Sequence, residues 1–381
     1  MSHWFQVLAL FLCTAWTLLG AAAVVLAARR PVRRGSTPLP PVSVLKPLAG
    51  ADPDLARNLE SFFVQDHPDY EILFGVEDPA DPAIRVAASC MARHPEIRSR
   101  IVVHRAGRGT NPKVRNLRGI IGEADHDLVV VSDSNVRVPR HYLSELVSEY
   151  VAAGPRAGLV TNLIRGVDES GVGAALESTQ LAGFCAAGVA GPTLLGDSLV
   201  VGKSMLFSRS LQDRLGGLES VQNVLAEDYV LGKMFQHAGY RVLIARTPVD
   251  NVTRGTTVRS FFERQRRWAM LRLKLRPFAY PLEPLTSPLF LLPFAWAALG
   301  PWALAWAAGL LLVRDVGQWL VLSGPRGAWM PLLLSPVREA IVLAVWAAAP
   351  FKRHVSWRGH RVRLSAGSVA YVAEPARATS R

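Results

Sequence analysis

The chain opens on an unbroken apolar run. Residues 4–28, WFQVLALFLCTAWTLLGAAAVVLAA, carry no charge. At about 1.5 Å rise per residue, a helix of that length crosses a hydrocarbon core of about 30 Å. Arg29, Arg30, Arg33 and Arg34 follow it, and no such cluster precedes it. A cleaved signal peptide would place its basic residues before a shorter apolar core. Residues 1–28 therefore read as a transmembrane helix, and the basic, Pro-rich linker over 29–41 lies on the cytoplasmic side.

After the linker the pattern shortens and alternates. VSVLK (42–46), YEILFGV (70–76), IVVH (101–104) and LVVVS (128–132) read as buried strands. Helical spacing fills the gaps at 54–64, 82–93 and 113–122, the first with Leu55, Leu59, Phe62 and Phe63 on one face. Strands and helices in alternation predict an α/β domain with a mostly parallel sheet and helices on both faces. Ligands of such sheets bind outside the carboxyl ends of the strands. This domain is expected to occupy 42–280.

Long apolar runs return at 285–299, 301–313 and 331–350, broken by Pro and Gly, with Arg314, Asp315, Arg338 and Glu339 inside or beside them. Two of the runs are too short to span alone, which leaves a hairpin, a re-entrant pair and an in-plane helix open for this C-terminal membrane region, 281–350. The tail over 351–381 carries Lys352, Arg353, Arg358, Arg361 and Arg363, which belong on the cytoplasmic side. The number of C-terminal crossings is then even.

Composition sharpens this picture. Half of the 381 residues are hydrophobic and the formal net charge is +13. The positive charge borders the apolar runs, which favours anionic lipid headgroups over nucleic acid, and no groove-reading or base-stacking motif accompanies it. The three cysteines, Cys13, Cys90 and Cys185, form no CxxC pair, so neither a disulfide framework nor a zinc site is indicated. No Walker A motif or dinucleotide fingerprint is present.

Candidate chemistry sits at the strand ends. The second strand runs into Glu77 and Asp78, and the fourth runs through VVVSDSN into Asp133. Carboxylates on one rim can ligate a divalent cation, and the cation can hold a diphosphate. Turn formation and helix capping explain either acid equally well when taken alone. A third acid, Asp228, opens a helix in LAEDY, a place the helix dipole also favours. The fourth feature is RSFFERQRRWAMLRLKLR (259–276), a basic and aromatic helix suited to a lipid interface. Its Arg267 can clamp a phosphate.

These features, in this order, resemble a lipid-directed glycosyltransferase with a GT-A fold, and more closely the ceramide glucosyltransferase family. The likeness runs from about Val42 to Leu364. It is carried by VSVLKPLAG (42–50), DPAI (81–84), NPKVRNL (111–117), SDSNVRV (132–138), LES (176–178), VGKSMLF (201–207), AEDY (226–229), RQRRW (264–268), REA (338–340) and VSWRGHRVRL (355–364). The resemblance implies that Asp78 contacts the uracil or ribose of a UDP-sugar. It implies that Asp133 is the metal-binding acid, in place of a full DxD, and that Asp228 is the catalytic base. Arg264, Arg267 and Trp268 match the (Q/R)xxRW motif, which serves the diphosphate and the acceptor near the membrane, and Lys113 of NPK is placed near the phosphates.

The chemistry this implies is economical. A cation, Mn²⁺ or Mg²⁺, and an arginine neutralise the leaving diphosphate. One carboxylate deprotonates a lipid hydroxyl. A single base with no covalent sugar intermediate inverts the anomeric centre. The expected partners are a UDP-sugar (glucose first), a lipid acceptor (ceramide or another lipid alcohol) and the membrane, with no nucleic acid. The expected site is the cytoplasmic side of a bacterial inner membrane. One departure stands out: animal members carry a His eight or nine residues after the LE of LES, where this chain has GFCAAG with Cys185. Transfer of N-acetylglucosamine to a hopanoid or other lipid alcohol remains the alternative acceptor chemistry. A non-catalytic membrane protein that binds nucleotide sugar is the alternative of another class.

Overall fold

The computed structural model describes residues 3–31, 38–52, 54–105, 107, 109–197, 199–352, 354–357, 360–364 and 373–374. Arg33, Arg34, Arg353 and Arg358 of the basic flanks lie outside them. The chain divides into two compact units.

The first unit, Leu26–Val167 with Pro192–Val252, is built on an eight-stranded sheet. Its strands are β1 (Val42–Pro47), β2 (Tyr70–Val76), β3 (Arg98–Val103), β4 (Leu128–Ser132), β5 (Val136–Arg137), β6 (Ala157–Val167), β7 (Ser204–Ser208) and β8 (Arg241–Val252). They lie in the order β3-β2-β1-β4-β7-β6-β8-β5. The four on one side pair in parallel. β7 runs antiparallel to both β4 and β6, β6 pairs parallel with β8, and β5 closes antiparallel on β8. The sheet is therefore mixed, with its parallel half where the apolar alternation is clearest.

Every residue of β2 and of β4 is buried. A strand buried on both faces needs cover on both, which explains its continuous apolar runs. The helix Leu55–Phe63 buries Leu55, Leu59, Phe62 and Phe63, the face expected from its spacing. β3 starts three residues earlier than its apolar pattern indicates. It is an edge strand whose Arg98 and Arg100 point to solvent and pair with Asp69 and Glu71, so its first half lacks a hydrophobic signal.

Because β2 and β4 both pair in parallel with β1, their carboxyl ends share one rim. Glu77, Asp78 and Asp133 follow those ends directly. Arg30, just past the N-terminal helix, pairs with buried Glu149 at 2.8 Å.

The second unit, Met1–Val25 with Asp168–Gly191 and Thr253–Arg381, is helical apart from a small antiparallel sheet formed by His354–Trp357, His360–Arg363 and Ala373–Glu374. Three helices among the described residues are long and apolar enough to cross a bilayer: Trp4–Arg29, Trp302–Ser323 and Trp329–Phe351. A bent pair, Tyr280–Thr286 with Pro288–Leu299, passes the same test as a broken span. Ala9, Leu10 and Cys13 of the N-terminal helix pack with Leu291, Ala295, Ala303 and Leu310.

The run expected to stop at 313 instead continues helically to Ser323. Arg314 and Asp315 interrupt its apolar pattern but not its helix. Arg314 pairs with Asp315 at 2.9 Å and with Glu339 at 2.7 Å, and Arg338 pairs with Glu339 at 3.1 Å and with Asp315. Four buried charges thus neutralise one another, which is how ionised groups are tolerated at such depth.

Candidate active site

The site in the first unit is assembled by three short motifs. In NPK, Asn111 caps the helix Pro112–Ile121: its Oδ1 accepts from the N–H of Lys113 at 3.0 Å and of Val114 at 3.2 Å. Pro112 takes the first helical position, where a missing N–H costs nothing. The Asn111 Nδ2 donates to the Val224 carbonyl at 2.6 Å and to Glu227 Oε2 at 3.2 Å. One asparagine thus fixes both Lys113 and the start of the helix Glu227–His237.

In SDSN the strand end is fixed from below. Lys46 of β1 is fully buried and donates to the backbone carbonyl of Asp133 at 2.6 Å, with its ammonium 3.9 Å over the Phe62 ring. Burial brings the Lys46 pKa down to about 7, with Asp133 pulling against the shift and Lys203 adding to it. Asp133 and Asn135, both in the turn that follows β4, hold Lys203 together, at 3.1 Å and 2.7 Å.

In VGKS, the backbone of Gly202 joins two functional groups. Its carbonyl accepts from Lys113 Nζ at 2.8 Å, and its N–H donates to Asp228 Oδ2 at 2.6 Å. A Cβ on Gly202 would stand 2.8 Å from Lys113 Nζ and 3.1 Å from Asp228 Cβ. Gly202→Ala must separate the lysine from the acid, and we expect it to cost more than tenfold in kcat with little change in Tm. Equal turnover would show that this close approach is dispensable.

Lys113 is the hub. Its ammonium lies 3.0 Å from Asp133 Oδ1, 3.0 Å from Glu227 Oε1 and 2.8 Å from the Gly202 carbonyl. Burial alone would depress it, but Asp133, Glu227 and Asp228 together hold it charged, well above the ordinary lysine value. Burial alone would raise Asp133, yet Lys113 and Lys203 overcome this and hold its carboxyl well below the carboxylate range.

Asp228 behaves in the opposite way. Burial and then the adjacent Glu227 push it up to about 6, against Lys113 and the N–H groups of Gly202 and Tyr229. Two neighbouring carboxyls thus have their pKa values driven apart, one toward a permanent anion and one toward a proton acceptor near neutral pH. Neighbouring carboxyls separated in this way are chemically able to divide electrostatic and proton-accepting work.

Three hard oxygens around one ammonium are also donors of the kind a divalent cation takes. Among the described residues no three His, Cys, Asp or Glu side chains converge as a preformed metal centre. Mg²⁺-type sites commonly use only one or two carboxylates and complete the shell with substrate phosphates. Asp133 and Glu227 fit a cation that arrives with a diphosphate.

The remaining sequence candidates are placed as follows. Asp78 is exposed on the same rim, where its Oδ1 accepts from the Ala80 N–H at 2.8 Å in a tight turn; its neighbour Glu77 pairs with Arg115 at 2.9 Å. Arg264, Arg267 and Trp268 belong to the other unit, on the helix Val258–Leu275, where Thr257 and Ser260 form a capping box. Arg264 pairs there with buried Glu177, and Arg267 and Trp268 are half-buried. Cys185 is a half-buried free thiol. Lys46, Lys203 and Glu227 were not singled out by sequence, although each lies inside a motif that carries the resemblance.

A mixed sheet with a parallel half, ending in a carboxylate–lysine cluster on its rim, is the architecture of a GT-A glycosyltransferase. A mannosyltransferase from Pyrobaculum calidifontis, solved with GDP-mannose and Mn²⁺, superimposes over 92% of this chain and 99% of its own with a TM-score of 0.52, at 19% identity. The chain belongs to glycosyl transferase family 21, which it matches over residues 5–370. Ceramide glucosyltransferase 1 of Caenorhabditis elegans is 30% identical over 344 residues, 86% of this chain and 72% of that protein. Ceramide glucosyltransferase 3 of the same organism is 29% identical over 65% of this chain, which spans only 54% of that relative.

Proposed function

We propose that this glycosyltransferase moves a hexose, glucose in the first instance, from a UDP-sugar to the hydroxyl of a membrane lipid, ceramide in the first instance, with inversion. The observation that carries the reading is the pairing of Asp228, raised to about 6, with the permanently charged Lys113–Asp133 cluster one residue away through Gly202.

Asp228 takes the proton of the acceptor hydroxyl as its oxygen attacks the anomeric carbon. The C–O bond to the diphosphate breaks on the opposite face, and UDP leaves with the bonding pair. Lys113 and Lys203 hold positive charge where the diphosphate develops negative charge, which lowers the barrier most when the donors are fixed in advance. When bound, a divalent cation on Asp133 and Glu227 adds charge neutralisation at the same place. Asp78, on the same rim, contacts the uridine. The match of Arg264, Arg267 and Trp268 to the (Q/R)xxRW motif supports a role for their helix at the membrane interface. The relatives named ceramide glucosyltransferase support the acceptor class, and the three apolar helices support a membrane-embedded enzyme. The Arg29 and Arg30 flank supports a cytoplasmic catalytic unit.

The test supplies UDP-glucose labelled with ¹³C at the anomeric carbon, Mn²⁺ and ceramide, and reads the product by NMR. A β-glycoside is expected. An α-glycoside would overturn inversion, and no glycolipid with any common UDP-hexose would overturn transfer in favour of nucleotide-sugar binding alone.

A further inference from the structure

The helix that carries Asp228, Glu227–His237, makes a second set of contacts with the segment 196–202 of the same unit. Gly202 donates its N–H to Asp228 Oδ2 at 2.6 Å. One turn along the helix, Gly232 meets buried Val200: a Cβ on Gly232 would stand 2.5 Å from Val200 Cγ2. Lys233 then pairs with Asp197, and Gln236 donates to the Gly196 carbonyl at 3.2 Å. The Lys233 ammonium also donates to Gln236 Oε1 at 2.9 Å, which joins the last two contacts. At about 3.6 residues per turn, positions 228, 232, 233 and 236 share one side of a helix. As the helix number rises from 228 to 236, the segment number falls from 202 to 196. The segment therefore runs antiparallel along the helix, as a strap fastened at both ends.

Two of these contacts do little for global stability. Glycine inside a helix is less favourable than alanine, yet Gly232 is what lets Val200 come so close. The Lys233–Asp197 pair is partly exposed, with 43% of the Asp197 side chain open to solvent, and such pairs contribute little. What both contacts do is fix where the strap lies. The strap ends on Gly202, whose N–H holds Asp228 and whose carbonyl accepts from Lys113 Nζ at 2.8 Å. A displacement of Gly202 would disturb the acid and the lysine together, and a misplacement of about 1 Å at a reacting group costs up to about 10²-fold in rate. Lys233 is engaged by Asp197 and Gln236, so it is not a spare cation for the diphosphate.

We propose that Gly232 and Lys233 are positioning residues for the transfer reaction: with Val200 and Asp197 they press the strap onto the helix, and through Gly202 they set the Asp228 carboxylate against Lys113. The inference rests on the transfer reading above and adds residues that act only through Gly202. Loss of either contact loosens the strap from its far end, and the slack reaches Gly202. The sheet and the carboxylates around Lys113 stay in place, because Asp133 and Glu227 hold the lysine independently of the strap. Donor binding is then kept while turnover falls.

The test combines turnover with amide hydrogen exchange, on the full-length protein in nanodiscs. Lys233→Met removes the ionic fastening, and Lys233→Arg keeps it. Gly232→Ala pushes the strap outward, and adding Val200→Ala removes the methyl groups it would strike. Lys233→Met and Gly232→Ala are each expected to lower kcat about tenfold, with donor KM, UDP affinity and melting temperature little changed. Exchange over 199–204 should speed up about tenfold, while that of β1 and β4 stays as in the wild type. Lys233→Arg and the Gly232→Ala/Val200→Ala pair should recover both readouts. Unchanged exchange over 199–204, or faster exchange with unchanged kcat, would overturn the proposal. So would a lowered melting temperature with weakened UDP binding, since the residues would then be structural. If the wild type transfers no sugar, the transfer reading falls, and the exchange data alone decide whether Gly232 and Lys233 hold the strap on Asp228.

Discussion

Asp228→Asn is expected to lower kcat by about 10²–10⁴-fold, the range a positioned general base contributes. The change keeps the shape of the side chain, and Lys113 retains Asp133 and Glu227 as partners. UDP should therefore bind as before. The wild-type rate should rise with pH through about 6 and level off above, because the acid must lose its proton to act. The variant's residual rate should be flat over the same range. Stability gives an independent sign. A carboxyl raised to about 6 in the folded protein, against about 3.9 unfolded, contributes stability that is fully present below the unfolded value and is lost as pH rises through 6. The asparagine variant should match the wild type in stability near pH 4 and exceed it at pH 7. A purely structural aspartate would show the opposite: a less stable variant at pH 7, with activity falling only in proportion.

Lys113→Met should act on three carboxylates at once. Removing the cation that holds Asp133 down and opposes the rise of Asp228 lets the pKa values of these two rise, typically by about 1–3 units for a close charge pair. The pH at which activity appears should move up from about 6 by at least one unit. Donor kcat/KM should fall about 10²-fold as the diphosphate loses a fixed positive charge. Breaking a buried pair costs about 3–5 kcal/mol; Lys113 retains 15% exposure, so the loss in stability should fall toward the low end of that range. Mn²⁺ binding in the absence of donor should strengthen, because the ammonium competing for Asp133 and Glu227 is gone. Isothermal titration with Mn²⁺ and the pH–rate profile check these separately. An unmoved pH midpoint would remove Lys113 from the site.

The parallel half of the sheet was legible because its signals are local. β1, β2 and β4 are apolar runs bounded by turns, and their helices show one-sided spacing. The other half was not read: long helical stretches separate β6 from β7 and β7 from β8, so their mixed pairing is set by contacts far apart in sequence. The acids Asp133 and Asp228 were visible at strand and helix ends, where turns and caps also favour acids, and the resemblance singled them out. Lys113 was reached only through the resemblance, and Lys46 and Lys203 were not reached, because an isolated lysine carries no periodic signal and gains meaning only when the sheet brings residues 46, 113, 133, 203 and 227 together. The helix through Arg314 and Asp315 was cut short in the sequence reading for a related reason. A charge pair ends an apolar run unless its partners, here Arg338 and Glu339, are known to lie opposite. Cys185 marks a difference from animal relatives whose consequence the fold does not explain.

The most direct measurement gives radiolabelled UDP-glucose, Mn²⁺ and ceramide to membranes that contain either the wild-type chain or Asp228→Asn at equal abundance, and counts label in the lipid fraction. The account predicts labelled glycolipid from the wild type and at least a hundredfold less from the variant, with UDP bound equally by both. Equal labelling by the two proteins would contradict the assignment of Asp228 as the base, and label from neither, with any UDP-hexose, would contradict transfer itself.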